Sequence, residues 1–384
     1  MTVTDTGDPS LLSEATVLAA SFRERLIAEV AAGRAVFPQQ NLDDAIAAGL
    51  LGMAIPHEHG GLGATCETYC AVIEELATGS PATALLLTMP VGFAAIFLLP
   101  ETLTPPIHRD GYRAHCGWVF DETRAGHVFA AGNSEPGIAV MQESQTRAVQ
   151  RDGVWRLTGR KVFGSWGQHS DWLFSTARLP EGLLPDASAV EFFALPTNGE
   201  GVQWADDWNS FGMAETASHS FRLEDAPARA LLGFPGFATS PYPDHWWRLG
   251  FTAVALGCVR GLLTPLLRGS TSMGPAARSE MASLTARYES LRGYLLDTAR
   301  RAGPTTTPAF LARTLRTKTY VTGECVTLAA TLFSMGGGSA LAANGLAAKY
   351  LRDVFAGTGL RPPFRAALDG WGDGLEVWGV SDEG

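Results

Sequence analysis

DGVWRLTGRKVFGSWG, residues Asp152 to Gly167, opens on Asp-Gly and continues into a run rich in β-branched and aromatic residues. Asp-Gly suits a tight hairpin turn, because both central positions there need positive φ. The run after it predicts a strand. The same texture extends outward in both directions. CGWVF (Cys116 to Phe120), HVFAAG and TRAVQ precede it, and WLFSTARL, VEFFALP, VQWADDW and HSFRLED follow it, with turns between. Together they predict about eight strands in a small β domain of barrel or sandwich type.

Further out the period changes to that of helices. Before the β region, apolar residues recur at helical spacing, as in Phe22, Leu26, Val30 and Leu42, Ile46, Leu50. IPHEHGGLGA (Ile55 to Ala64) interrupts this pattern, CETYCAVIEELATG resumes it, and a hydrophobic helix follows Pro81. Long helical patterns return from His245, with breaks at Gly269, at Gly303-Pro304 and at Gly336 to Gly338. The expected fold class is α+β, mainly helical. Its parts are an N-terminal α-helical domain (1–114), a middle β-barrel or sandwich domain (115–232) and a C-terminal four-helix bundle (233–384).

Composition narrows the function. The chain has 384 residues, 46% of them hydrophobic, enough for a large core. A net charge of −10 disfavours nucleic acid or an anionic membrane as partner, since both need clustered cations. A small-molecule substrate is expected instead. Lys161, Lys318 and Lys349 are the only lysines, so contacts to phosphate or carboxylate would fall mostly to arginine. Cys66, Cys70, Cys116, Cys258 and Cys325 are scattered, with no CxxC pair, which predicts neither a disulfide framework nor a metal site. The first residues lack a basic segment before an apolar stretch, and the apolar run Leu85 to Pro100 is short and broken by proline. These features predict a cytoplasmic protein with no membrane span.

Several segments at matched places in this order resemble the acyl-CoA dehydrogenase superfamily. They are GLLGMAIPHEHGGLG (Gly49 to Gly63), EELATGSPA (Glu74 to Ala82), NSEPG (Asn133 to Gly137), DGVWRLTGRKVFGSWG, WNSFGMAETASHSFRLEDAP (Trp208 to Pro227), GGGSAL (Gly336 to Leu341) and LRDVF (Leu351 to Phe355). The likeness covers roughly residues 20 to 368. It implies a bound flavin, FAD in most members, with FMN or a diffusible reduced flavin as alternatives. Position matching puts Ser165 beside the ring's N5 and O4, Ser134 at its pyrimidine edge and Phe163 against its face, with Asn133 also among the expected cofactor-binding residues. Gly336, Gly337 and Gly338 either only break a helix or let backbone approach the cofactor or a partner subunit. The resemblance also implies a homodimer or homotetramer.

Acyl-CoA dehydrogenases need a carboxylate base to remove a proton alpha to a thioester carbonyl. At the two places where the family supplies it, position matching gives Arg361 and Phe251. No Asp or Glu lies between Arg248 and Leu284 except Glu280, and none between Val354 and Leu368. Asp353 and Asp369 are the nearest substitutes. The family's Arg-Phe pair for the FAD pyrophosphate has no clear counterpart in RGSTSMGPAARSEM (Arg268 to Met281). Both departures, and the phrase FGSWGQHSDW, are more similar to the two-component flavin monooxygenases, which take reduced flavin from a separate reductase. That subgroup's histidines are also missing, with Thr88 and Met89 where one is expected.

Three readings follow. One is a monooxygenase or oxidase acting on a small organic molecule, with Ser165 and His169 as catalytic candidates and Thr88, Met89, Trp247, Phe251 and Arg361 lining the substrate pocket. Phe211 and Trp246 would add apolar walls that exclude water. The second is a dehydrogenase of CoA or carrier-protein thioesters with an unrecognised base. The third is a catalytically silent member that binds flavin or acts as a scaffold.

Overall fold

The computed structural model describes residues 9–138, 141–183, 189–363 and 367–368; Asp369 and the acidic tail beyond it lie outside the described residues. The first helices are α1 (Pro9–Ala31), α2 (Gln39–Ala47), α3 (Cys66–Gly79), α4 (Pro81–Ile96) and α5 (Arg109–Arg124). Local chemistry sets their ends. The Thr65 hydroxyl accepts from Thr68 N–H at the start of α3, and Ser80 does the same for Thr83 N–H at the start of α4, where Pro81 takes the first helical position. Every residue of α4 is buried, although Pro90 interrupts its hydrogen-bond ladder.

The strands are β1 (Phe129–Ala131), β2 (Arg147–Arg151), β3 (Val154–Gly164), β4 (Trp172–Arg178), β5 (Val190–Pro196), β6 (Val202–Trp204), β7 (His219–Ala228) and β8 (Ala230–Leu231). They form one sheet in the order β6-β7-β3-β2-β4-β5-β8, with β1 beside β4. The Asp152-Gly153 turn joins β2 to β3 as expected. Both residues have positive φ, 50° and 80°, and Arg151 pairs with Val154.

One expected strand is wrong. CGWVF lies inside α5, where Tyr112, Val119, Phe120 and Thr123 are buried on one helical face. Packing at helical spacing overrides the local β preference of that run.

The last part holds α6 (His245–Arg268), α7 (Pro275–Arg300), α8 (Pro308–Met335), α9 (Leu346–Val354) and the short α10 (Ala356–Gly359), with ends at the expected glycine breaks. Helix α6 packs against α3, α4, α7, α8 and α9. It is long and apolar enough to cross a membrane, yet 78% of that window is buried inside the fold, as expected of a central core helix.

Candidate functional site

The site is built where β1, β3 and the turn before β7 meet α4. Gly132 N–H continues the ladder to Phe174 O on β4 at 2.8 Å, and Val162 N–H on β3 donates to Ser134 O at 2.9 Å. Asn133 and Ser134 are therefore strung between two strands. The next residue, Glu135, fixes the turn. Its carboxylate accepts from Lys161 Nζ (2.6 Å), Ser144 Oγ (2.5 Å), Thr146 Oγ1 (2.7 Å) and Gln145 N–H (2.6 Å). Burial pushes the Glu135 carboxyl up, but hydrogen bonds from Lys161 and Ser144 outweigh it and bring the group down to about 2. Burial draws Lys161 down to about 8, against the pull of Glu135.

Beyond Lys161 the backbone is strained. Phe163 and Trp166 have φ of 59° and 76°, a region side chains other than glycine seldom adopt. The Phe163 ring is 63% exposed and meets Trp208 edge-on at 6.3 Å. Trp166 is buried, and its indole N–H donates to Leu86 O at 2.8 Å. That carbonyl is the one Pro90, lacking an N–H, cannot serve in α4. Between these residues sits Ser165, buried, with its Oγ 2.9 Å from Ser218 Oγ. The Asn133 side-chain oxygen is buried and has no hydrogen-bond partner among the described residues.

The expected pocket residues separate into groups. Trp247 Nε1 donates to Met89 O at 3.1 Å, which joins α6 to α4. Thr88 is buried and donates to Leu85 O, and Gly250 of α6 packs directly against Thr88 and Tyr69. Phe251 is buried at 6% exposure. Trp246 lies against Tyr69, whose hydroxyl is buried without a partner among the described residues. Arg361 reaches the β-domain turn instead, donating to Ile138 O at 3.0 Å. Phe211 is exposed and packs edge-on against Phe355.

His169 is not joined to Ser165 or Asn133 by any described hydrogen bond. Its ring stacks on Phe37, with centroids 3.9 Å apart and planes 10° apart. Partial burial and the neighbouring His219 lower its pKa, which favours the neutral ring. Gly336 caps α8 and Gly337 has a φ of 63°, so the helix break is real; open space surrounds Gly337 and Gly338. Asp353 is fully enclosed, ion-paired with Lys349 and accepting from Met213 N–H at 2.8 Å, so it is tied to a structural network. Lys349 also donates to Glu215 at 2.8 Å. Among the described residues, no cluster of His, Cys, Asp or Glu can hold a metal ion.

Sequence reasoning did not single out Glu135, Trp166, Thr216 or Ser218. The available signal for Glu135 was its place in the NSEPG motif, directly after Asn133 and Ser134.

Family models for the acyl-CoA dehydrogenase N-terminal, middle and C-terminal domains match residues 13–100, 130–226 and 268–360. The chain belongs to the acyl-CoA dehydrogenase family. A dibenzothiophene monooxygenase of Mycolicibacterium goodii is 29% identical over 234 residues, which is 58% of this chain and 53% of that protein. The chain thus matches little more than half the length of that relative. The solved structure of TdsC from Paenibacillus sp. A11-2 with FMN and indole superposes with a TM-score of 0.81 at 23% identity, covering 96% of this chain and 97% of the other. Butyryl-CoA dehydrogenase from Megasphaera elsdenii gives a TM-score of 0.81 at 18% identity, covering 97% and 100%. Both likenesses bear on the fold.

Proposed function

We propose that this chain is a flavin-dependent monooxygenase that uses reduced flavin and oxygen to hydroxylate a small organic molecule. The observation that carries the reading is the chemistry of the two positions where the family keeps its carboxylate base. One is Phe251, buried and apolar, and the other is Arg361, bonded to Ile138 O. Asp353, the nearest described substitute, is committed to Lys349 and Met213. At these positions no described carboxylate stands ready to abstract a proton alpha to a thioester. The match to a dibenzothiophene monooxygenase supports the same direction.

The residues fit a flavin ring. Asn133 keeps a buried oxygen without a partner, Ser165 presents a hydroxyl, and Phe163 offers an exposed aromatic face. Asn133, Ser134, Phe163 and Ser165 would hold the ring, and bound reduced flavin supplies the electrons that activate oxygen. This chain's own part is orientation and exclusion of water. The Glu135–Lys161 pair fixes the turn that carries Asn133 and Ser134, and the Trp166 bond to Leu86 fixes Ser165 against α4. Met89, Trp247 and Phe251 line the α4–α6 side with apolar surface that keeps water from the reacting atoms.

FMN or FAD, delivered reduced by a separate reductase, belongs to this reading, as does a cytoplasmic homodimer or homotetramer.

The test supplies reduced FMN, isotopically labelled oxygen and indole as probe, and follows the label by mass spectrometry. Labelled oxygen in an indole product is expected. Oxygen consumed by bound reduced flavin without label in any product of a panel of small aromatics would overturn the monooxygenase reading.

A further inference from the structure

Arg361 is a cation without a counter-ion among the described residues. It is partly buried, and its one hydrogen bond to them runs from Nη2 to Ile138 O at 3.0 Å. A guanidinium has five N–H donors in a planar fork, so most of the fork is unused. Glu135 is the carboxylate whose charge reaches Arg361. Its oxygens already accept from Lys161 Nζ, Ser144 Oγ, Gln145 N–H, Thr146 N–H and Thr146 Oγ1. These donors saturate a carboxylate, which offers about four lone-pair sites. Burial lowers the pKa of Arg361 against the pull of Glu135, as happens when a cation loses water without gaining an anion. Lys318 adds positive charge behind the same loop. Its ammonium donates to Leu360 O and Pro362 O, which fixes the backbone on both sides of Arg361.

We propose that Arg361 binds a carboxylate of the organic substrate, so that the molecule hydroxylated is a carboxylic acid in its ionised form. The inference rests on the monooxygenase reading, because it takes the flavin site from there. Arg361 clasps the turn 133–138, which carries Asn133 and Ser134, and Ile138 N–H closes that turn on Glu135 O at 3.2 Å. A ligand held by the free part of the fork therefore lies beside the residues that would hold the ring. The planar fork matches a planar carboxylate through two parallel N–H···O bonds. Such a ligand supplies the anion that the partly desolvated cation lacks, and thereby offsets the cost of its burial. The Lys318 contacts hold the loop in place before the ligand arrives, so less ordering is left for binding to do.

The experiment is anaerobic calorimetry on the full chain, with and without reduced FMN, using two matched pairs of probes: benzoate with benzamide, and indole-3-carboxylate with indole-3-carboxamide. The wild type is expected to bind a carboxylate about tenfold or more tightly than its amide in at least one pair. Arg361→Gln is expected to bring the pair within about twofold, and Arg361→Lys, which keeps the charge and loses the fork, to fall between. If Arg361→Gln fails to fold, the wild-type contrast and Arg361→Lys carry the test. No preference for either carboxylate in the wild type, binding of none of the four probes, or a preference that survives Arg361→Gln overturns the proposal. So does an Arg361→Gln variant that loses affinity for FMN and not for riboflavin, since the fork would then hold the phosphate of the flavin. The two readings fail separately. A carboxylate preference without labelled oxygen in any product sinks the monooxygenase and keeps the Arg361 site; labelled oxygen in a neutral product without that preference does the reverse.

Discussion

The indole N–H of Trp166 donates to the carbonyl of Leu86 over 2.8 Å, and that carbonyl is the one freed by Pro90 inside α4. A proline that would weaken an isolated helix thus creates the acceptor that locks the Ser165 turn to the helical domain. Trp166→Phe keeps most of the apolar volume but leaves a buried carbonyl unserved. It is expected to cost about 1–3 kcal/mol in chemical denaturation and to weaken flavin binding. Unchanged stability would mean that Leu86 O finds another donor.

Glu135 and Lys161 form a buried ion pair at 2.6 Å inside the β domain. The Glu135 carboxyl is held at about 2, below its ordinary 4.5. A depressed carboxyl stabilises the fold above its unfolded value and loses that contribution as pH falls towards the folded value. Stability should therefore decline between pH 4.5 and about 2 as the pair is broken. Glu135→Gln should remove this part of the acid decline and cost about 3–5 kcal/mol at neutral pH, because it leaves Lys161 buried and unpaired. Denaturant melts at a series of pH values check both statements.

Lys318 is buried in α8 with no carboxylate beside it among the described residues. Its ammonium donates to the carbonyls of Leu360 and Pro362, at 2.5 and 2.6 Å, on either side of Arg361. Arg361 in turn reaches Ile138 O at the end of the β-domain turn. Lys318→Met should speed hydrogen exchange at the Leu360 amide by about tenfold or more, and loosen the Ile138 amide with it. Arg361→Gln should loosen Ile138 and leave Leu360 protected.

Asp353 is tied to Lys349 and to Met213 N–H, with Glu215 completing the buried network. Asp353→Asn is expected to lower stability by about 3 kcal/mol, while flavin affinity measured below the melting transition stays near that of the wild type. A loss of flavin affinity without loss of stability would give Asp353 a part in the site.

Much of this fold was legible because short-range chemistry sets it. Asp152-Gly153 encodes its own turn geometry, and the glycine and proline breaks after Arg268, Arg300 and Met335 end their helices locally. Cys116 to Phe120 misled because its β-like residues are also spaced to pack one face of a helix. The candidate site's connections were not legible in the sequence. Ser165 stood out as a candidate, but its partner Ser218 lies 53 positions away, and Trp166 is 80 positions from Leu86. Only the folded chain brings such pairs together. His169 showed the opposite case, since proximity in sequence to Ser165 did not bring it into hydrogen-bond contact; its ring stacks on Phe37.

The most direct test of the central claim is to load the protein with oxidised FMN or FAD, remove oxygen, add butyryl-CoA and watch the oxidised flavin absorbance. With Phe251 and Arg361 at the two positions that the family resemblance gives for the base, the band is expected to persist. Bleaching of the band by the thioester would contradict the account, because it would require a base that the described site does not contain.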